Sequence, residues 1–395
     1  MSEPCPLTES REGKAVIRHC DLKSYANSRG FVDPAWAPVF YNPRMKCSRD
    51  LSTVILSAYV KLSARKEVSV IDVMSGTGVR GIRYVLEVPG VSQVILNDVD
   101  PKAALLAREN VALNGVTDVV KVFSKEAHEI LASTKAEVVD LDPFGTPAPF
   151  IHPALRAVRH GGLLCATATD LPPLLGIYPS ACIRKYFSKA LEAEFSREQA
   201  VRVLLYFIAR EAAKLGRVIR PFYSYYLDHH IRVCVIVEKK ERSGFLEENL
   251  GFILYNPKTL ERRLVVLSQA SEMCGGRLAG GGWVVGGPVW IGELWDSEAS
   301  QEISREYMAR QAELNLCRKG LSVATKIDQE RDKPPLYYTT ENVASTYKLA
   351  EERSARQLVE QLALKGYPSS LTHFDEKGFR TTANVADILE AWQAR

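Results

Sequence analysis

Val68-Ser69-Val70-Ile71-Asp72-Val73-Met74-Ser75-Gly76-Thr77-Gly78-Val79-Arg80-Gly81 reads as an apolar strand, a glycine-rich turn and the start of a helix. Working outward, the same alternation continues. The helix covers Gly78–Glu87, a second strand Gln93–Asp98, and a helix Pro101–Asn114 that opens on proline and closes on Asn-Gly. A third strand, Val119–Phe123, precedes a short helix. A fourth, Glu137–Leu141, precedes a helix Pro149–Val158 that Gly161-Gly162 should end. Leu163–Thr167 is a fifth strand and Arg197–Leu215 a long helix. Val218–Leu227 and Ile231–Glu238 are two more strands, joined by Asp228-His229-His230. Strands alternating with helices predict an α/β fold, a mostly parallel seven-stranded sheet covered on both faces.

The flanks are different. Residues 1–45 carry scattered aromatics and Pro34, Pro38 and Pro43, and read as irregular. Asp50–Ser63 has helical spacing. A charged turn at Glu238–Gly244 divides the chain into 1–245 and a C-terminal α+β part, 246–395. The latter holds a glycine-rich stretch, Gly275–Gly292, and ends in Ser345–Trp392, which resembles a winged helix around Phe379-Arg380-Thr381-Thr382.

With 46% hydrophobic and 25% charged residues, the 395-residue chain can bury a large core. No apolar run spans a bilayer, and no apolar leader opens the chain, so a membrane role and a signal peptide are not expected. The eight cysteines form no C-x-x-C pair. That spacing predicts neither metal nor disulfides, but buried free thiols in a reducing cytoplasm. Net charge is +4, yet residues 1–66 hold 11 Lys/Arg against 6 Asp/Glu and the rest 40 against 41, so the basic excess lies at the N-terminus, where it could meet phosphates.

Two strand ends carry the chemistry. Gly76 and Gly78 let the backbone approach a ligand, and Asp98 at the second strand end can accept hydrogen bonds from ribose hydroxyls. Taken alone, Gly76-x-Gly78-x-x-Gly81 with Asp98 about 20 residues on fits a dinucleotide as well as S-adenosylmethionine (SAM). Glu126, after the third strand, is placed to meet an adenine amino group, with the Ala127 backbone alongside. The fourth strand ends in Asp142-Pro143-Phe144-Gly145. An exocyclic amine conjugated with a purine ring is a poor nucleophile. It needs in-line placement and fixed oxygens that accept its N–H bonds. Asp142 offers a carboxylate and Pro143 a carbonyl, and Phe144 can stack on a base for roughly 1–3 kcal/mol. Hydride transfer needs no such tip, so the pair of motifs favours SAM-dependent methylation of a nucleobase nitrogen. The His229-His230 pair reads as structural.

These segments, with Pro38-Val39-Phe40-Tyr41-Asn42-Pro43-Arg44-Met45, Ser48-Arg49-Asp50, Ala166-Thr167-Ala168-Thr169-Asp170, Arg184-Lys185-Tyr186 and Trp290-Ile291-Gly292-x-Leu294-Trp295, resemble the tRNA (guanine 26-N2) dimethyltransferases of archaea and eukaryotes. The resemblance implies a class I SAM-dependent methyltransferase fold, Rossmann-like, and a C-terminal domain that grips tRNA. It implies that Arg49, Arg80 and Asp98 bind SAM, with Arg44 a weaker candidate, that Asp142 is catalytic, and that Phe40 and Phe144 clamp the guanine. Family members often carry aspartate where Glu126 stands, and many carry a C-terminal cysteine cluster of which only Cys274 and Cys317 remain here, so no zinc is expected. Competing readings are a methyltransferase for an rRNA guanine or a DNA adenine, an NAD-dependent oxidoreductase using the same glycine turn, and a tRNA-binding module without catalysis. The residues fix no oligomeric state; a monomer is the simplest expectation.

Overall fold

In the computed structural model, which describes residues 5–239, 244–269, 282–350 and 353–394, the first apolar run becomes an interior strand of the large sheet. The chain opens with β1 (Leu7–Glu12) and β2 (Ala15–Cys20), then α1 (Lys46–Leu62). There follow β3 (Val68–Asp72), α2 (Val79–Glu87), β4 (Val91–Asn97), α3 (Pro101–Leu113), β5 (Val120–Phe123), α4 (Ala127–Ser133), β6 (Ala136–Leu141), α5 (Ala148–Ala157) and β7 (Val158–Ala168). Two short helices, α6 (Leu171–Leu174) and α7 (Pro179–Tyr186), lead to α8 (Ser196–Ala213), β8 (Val218–Leu227) and β9 (His230–Glu238).

The seven strands lie in the order β5-β4-β3-β6-β7-β9-β8. β3 to β7 run parallel, and β9 is antiparallel to both β7 and β8. Chain direction across the sheet reverses at β3, whose neighbours are β4 and β6. In such sheets ligands sit at the carboxyl ends of the strands flanking the reversal. Asp72 pairs with Asp140 in register, so the glycine turn and the Asp142 tip emerge side by side.

Three expectations need correction. The first 45 residues are not all irregular: β1 and β2 form a hairpin. β1 is mostly polar, and the edge of β2 away from β1 is held by side chains instead of a second strand. Asn114 bonds Val16 N and O at 2.9 and 2.7 Å, and Asn110 bonds Arg18 N and O at 2.7 and 2.9 Å. Ala15 and Ile17 add a short apolar contact with the core, but the asparagine bonds leave no hydrophobic signal in the sequence. Gly161-Gly162 does not end a helix: α5 stops at Ala157 and both glycines lie inside β7. A Cβ on Gly162 would sit 2.5 Å from Glu137 O, so the glycine serves close strand approach. The cysteines are not all free thiols. Cys5–Cys20, Cys47–Cys317 and Cys165–Cys234 are disulfides, and Cys182 is free and buried. Folding brings these partners together across up to 270 residues, which local spacing cannot reveal, and the compartment argument from free thiols falls with it. Cys274, most of the charged turn at 238–244 and part of the glycine-rich stretch lie outside the described residues.

Past Glu238 come α9 (Phe245–Asn249), β10 (Leu250–Tyr255), β11 (Arg262–Val266) and β12 (Val284–Trp290), the last three an antiparallel sheet. Helices α10 (Ser297–Arg310) and α11 (Arg318–Glu330) follow. A small sheet of β13 (Tyr338–Thr339), β14 (Ser369–Leu371) and β15 (Gly378–Thr381) is interleaved with α12 (Thr340–Tyr347), α13 (Ala355–Leu364) and α14 (Val385–Gln393). These elements share one continuous core with the large sheet: Trp290, Trp295 and Tyr307 belong to the same buried cluster as Val70 and Val139. Among the described residues no helix is long and apolar enough to cross a membrane.

Candidate active site

The tips of β3, β4 and β5 are knitted together by polar groups that the local sequence supplies. Ser75 N donates to Asn97 O at 2.8 Å, and the Asn97 amide donates to Val73 O and Lys125 O at 3.1 and 3.0 Å. Gly76 (φ 53°) turns its N–H onto Asp98 Oδ2 at 2.8 Å, and Asp100 N caps Oδ1 at 3.0 Å. Burial pushes the Asp98 carboxyl up. Gly78 (φ 80°) starts α2, and a Cβ there would strike Leu96 Cδ1 at 2.8 Å. Glu126 is exposed at the mouth of β5, with Ala127 buried behind it. Three atoms in this turn, Asp72 Oδ2, Ser75 Oγ and Thr77 Oγ1, are buried without a partner. Unpaired buried polar atoms are costly. Set around a glycine cradle beside a carboxylate, they fit a polar nucleoside ligand.

Beside it, at the tip of β6, Asp142 pairs with Arg80 Nη2. Arg80, on the first turn of α2, also donates to Ser52 Oγ of α1. Burial pushes the Asp142 carboxyl up, but Arg80, with Arg232 and His230, outweighs it and holds Asp142 below the usual carboxylate range. Asp142 is therefore an anion at neutral pH, an acceptor of N–H bonds. Below it, Asp140 Oδ2 accepts from Tyr84 OH at 2.6 Å and Arg232 Nη2 at 2.7 Å, and Arg232 Nη1 donates to Thr167 Oγ1 at 2.8 Å. Burial, then the neighbouring Asp140 carboxylate, pushes the Asp72 carboxyl well up. His230 opens β9 with its Nε2 buried and unpartnered; burial pulls it down to about 4 against the pull of Asp142.

Phe40 and Phe144 meet edge to face, with ring centroids 4.6 Å apart and planes at 84°. Phe144 is 72% exposed, the open lip of the site. A base stacked between two rings needs roughly 7 Å between them, so this pair must part to admit one. Pro143 is buried behind the lip.

The structure thus brings Asp142, Pro143, Phe144, Phe40, Arg80, Gly76, Gly78 and Asp98 to one crevice. Arg49 has partners of its own. The Arg49 guanidinium is buried against Glu12, donates to Asn42 O at 3.0 Å and lies over the Tyr41 ring at 5.3 Å. Arg44 is exposed in the turn Pro43–Met45 and makes no ion pair among the described residues. Sequence reasoning missed Arg232, Tyr84 and Asp72, and grouped His230 with the exposed His229 although His230 is buried near Asp142. One signal was present: Arg232 interrupts Ile231–Val237, an otherwise apolar run, and arginine is almost never fully buried unless paired.

Residues 13–393 match the family described as N2,N2-dimethylguanosine tRNA methyltransferase. A tRNA (guanine(26)-N(2))-dimethyltransferase of Methanosphaera stadtmanae is 34% identical over 366 residues, covering 90% of this chain and 91% of its own. One of Aeropyrum pernix is 34% identical over 406 residues, covering 99% and 98%. The structure of Trm1 from Pyrococcus horikoshii in complex with S-adenosyl-L-methionine is similar with a TM-score of 0.80 at 32% identity, covering 98% of this chain and 99% of that one.

Proposed function

The chain belongs to the N2,N2-dimethylguanosine tRNA methyltransferase family, and we propose that it transfers one or two methyl groups from SAM to the exocyclic N2 of guanine 26 in tRNA. The observation that carries this reading is the placement of an anionic Asp142 one strand away from the glycine cradle. Bound SAM supplies an electrophilic methyl on a positively charged sulfur. The groups that would hold it are the Gly76–Gly78 turn with the unpartnered Ser75 and Thr77 hydroxyls, Asp98, and at the rim Glu126 and the Ala127 backbone.

The chain's own residues do the rest. Asp142 and the Pro143 carbonyl accept N–H bonds from N2, turning its lone pair out of conjugation and toward the methyl. Arg80 keeps Asp142 ionised and aimed. The proton lost from N2 passes to Asp142 Oδ or to solvent. Phe40 and Phe144 part and stack on the guanine, offsetting the few kcal/mol that extruding a base costs. Arg49 acts at one remove: through Glu12 and Asn42 it fixes the segment that presents Phe40. Arg44 is the arginine of that segment left open to a ligand.

The test is nucleoside mass spectrometry of a tRNA transcript incubated with SAM and the protein. N2-methylguanosine followed by N2,N2-dimethylguanosine is expected, and neither on a transcript with adenosine at position 26. Absence of both from the guanosine transcript, or NAD binding tighter than S-adenosylhomocysteine, would overturn the reading.

A further inference from the structure

Beyond the lip at Phe144 the surface stays apolar. Ile177, Tyr178, Ile183 and Phe187 are 50%, 60%, 49% and 57% exposed. They lie on the segment around α7, which is tied directly to the catalytic tip. Gly145 O accepts from Thr169 N at 2.9 Å, and Gly145 N donates to Thr169 Oγ1 at 2.8 Å, just before α6. Thr146 Oγ1 and Tyr186 OH share a hydrogen bond of 2.6 Å at the end of α7. Lys185 of α7 pairs with Asp170. The patch is therefore a continuation of the site, fixed to the same turn that carries Asp142.

Two further features argue against an idle surface. Phe187 is held in the left-handed region (φ 56°), a conformation that costs a bulky residue energy, and the Arg210 guanidinium lies over its ring at 4.0 Å. Backbone strain that keeps an aromatic exposed needs a return elsewhere. The charge is also one-sided. Residues 177–189 hold three basic and no acidic side chains, whereas the chain beyond residue 66 is close to neutral. Arg184 and Lys189 are exposed without an ion pair among the described residues.

Aromatic rings interleaved with unpaired cations form a surface suited to single-stranded or splayed nucleic acid, since rings stack on bases and cations neutralise phosphates. We infer that the Ile177–Phe187 rim is a docking surface for the tRNA, stacking on a nucleobase next to the extruded guanine while Arg184 meets the backbone. A protein partner would equally cover apolar side chains, but it gives no reason for the unpaired cations Arg184 and Lys189. The inference rests on the proposed function for the identity of its RNA.

The full chain carrying Tyr178→Ala with Phe187→Asn tests it, asparagine being chosen because it tolerates the left-handed backbone. Filter binding should show a rise in tRNA Kd of about tenfold or more, matched in KM for tRNA, with S-adenosylhomocysteine affinity and thermal midpoint unchanged. Tyr178→Phe alone should keep wild-type binding. Arg184→Ala should lower the slope of log Kd against log salt by about one. Unchanged tRNA Kd in the double variant and an unchanged slope in Arg184→Ala would overturn the inference, and if the double variant also altered sedimentation the rim would be a self-association face instead. Binding is read without turnover. A wild-type protein that binds tRNA through this rim but makes no N2-methylguanosine would therefore sink the proposed function and leave the rim standing.

Discussion

Two of the molecule's buried arginine–carboxylate clusters are built to opposite specifications. One joins α8 to the C-terminal elements. There Glu330 Oε1 accepts from His373 N and Nδ1, both at 2.7 Å, and Oε2 from Thr372 Oγ1 at 2.7 Å and Arg380 Nε at 2.6 Å. Glu198 accepts from Leu336 N at 3.0 Å and Arg202 Nε at 2.8 Å, and Arg202 Nη1 closes on Trp290 O and Gly292 O at 3.0 Å. Almost every atom is used; Arg380 Nη2, 2.8 Å from Glu198 Oε2, is close but off the line of a hydrogen bond. The other cluster, at the strand tips, leaves Asp72 Oδ2, Asp140 Oδ1, Arg232 Nε and His230 Nε2 without partners. A saturated cluster fixes a geometry and has nothing left to bind. An unsaturated one, under the half-buried Asp142 carboxylate and beside a glycine cradle, is organised around something that arrives later.

That contrast can be broken by experiment. The largest effect should come from the saturated cluster. Glu330→Ala leaves Arg380 buried and short of a partner, and should cost about 3–5 kcal/mol in chemical denaturation. A loss below about 1 kcal/mol would make the cluster decoration. Acid should unmake it more gently. Burial pushes the Glu330 carboxyl up, but His373 and Arg380 outweigh it and hold it at about 2, against an ordinary 4.5. A depressed carboxyl contributes stability above its unfolded pKa. That contribution, on the order of 3 kcal/mol, should drain away as pH falls from about 4.5 toward 2, and Glu330→Gln should flatten this part of the profile. The smallest effect belongs to the open lip. Phe144→Ala should raise KM for tRNA by about tenfold, within the roughly 1–3 kcal/mol that stacking gives, with no change in melting temperature. A large fall in stability would mean that Phe144 is core after all.

The two regions were unequally legible in the sequence. The glycine turn and the Asp142 tip stood out because their local order, apolar run then special residues, is the order of the chain. Phe40 and Phe144 lie more than 100 residues apart, and only the family resemblance paired them. The supports beneath the tip were hidden: Arg232 reaches Asp140 across 92 residues, and nothing in either neighbourhood names the other. Cys47 and Cys317, or Glu330 and Arg380, are likewise partners only after folding. The Gly161-Gly162 misreading has the same root, because glycine that makes room for a neighbouring strand looks identical to glycine that ends a helix.

The most direct test of the strand-tip cluster is Asp142→Ala, with kcat on tRNA and the Kd of SAM measured on the same preparation. A carboxylate that presents the guanine amine predicts that turnover falls by at least about a hundredfold while SAM affinity stays within about twofold. A strong loss of SAM binding with kcat at saturating cofactor preserved would assign Asp142 to the cofactor and contradict the account.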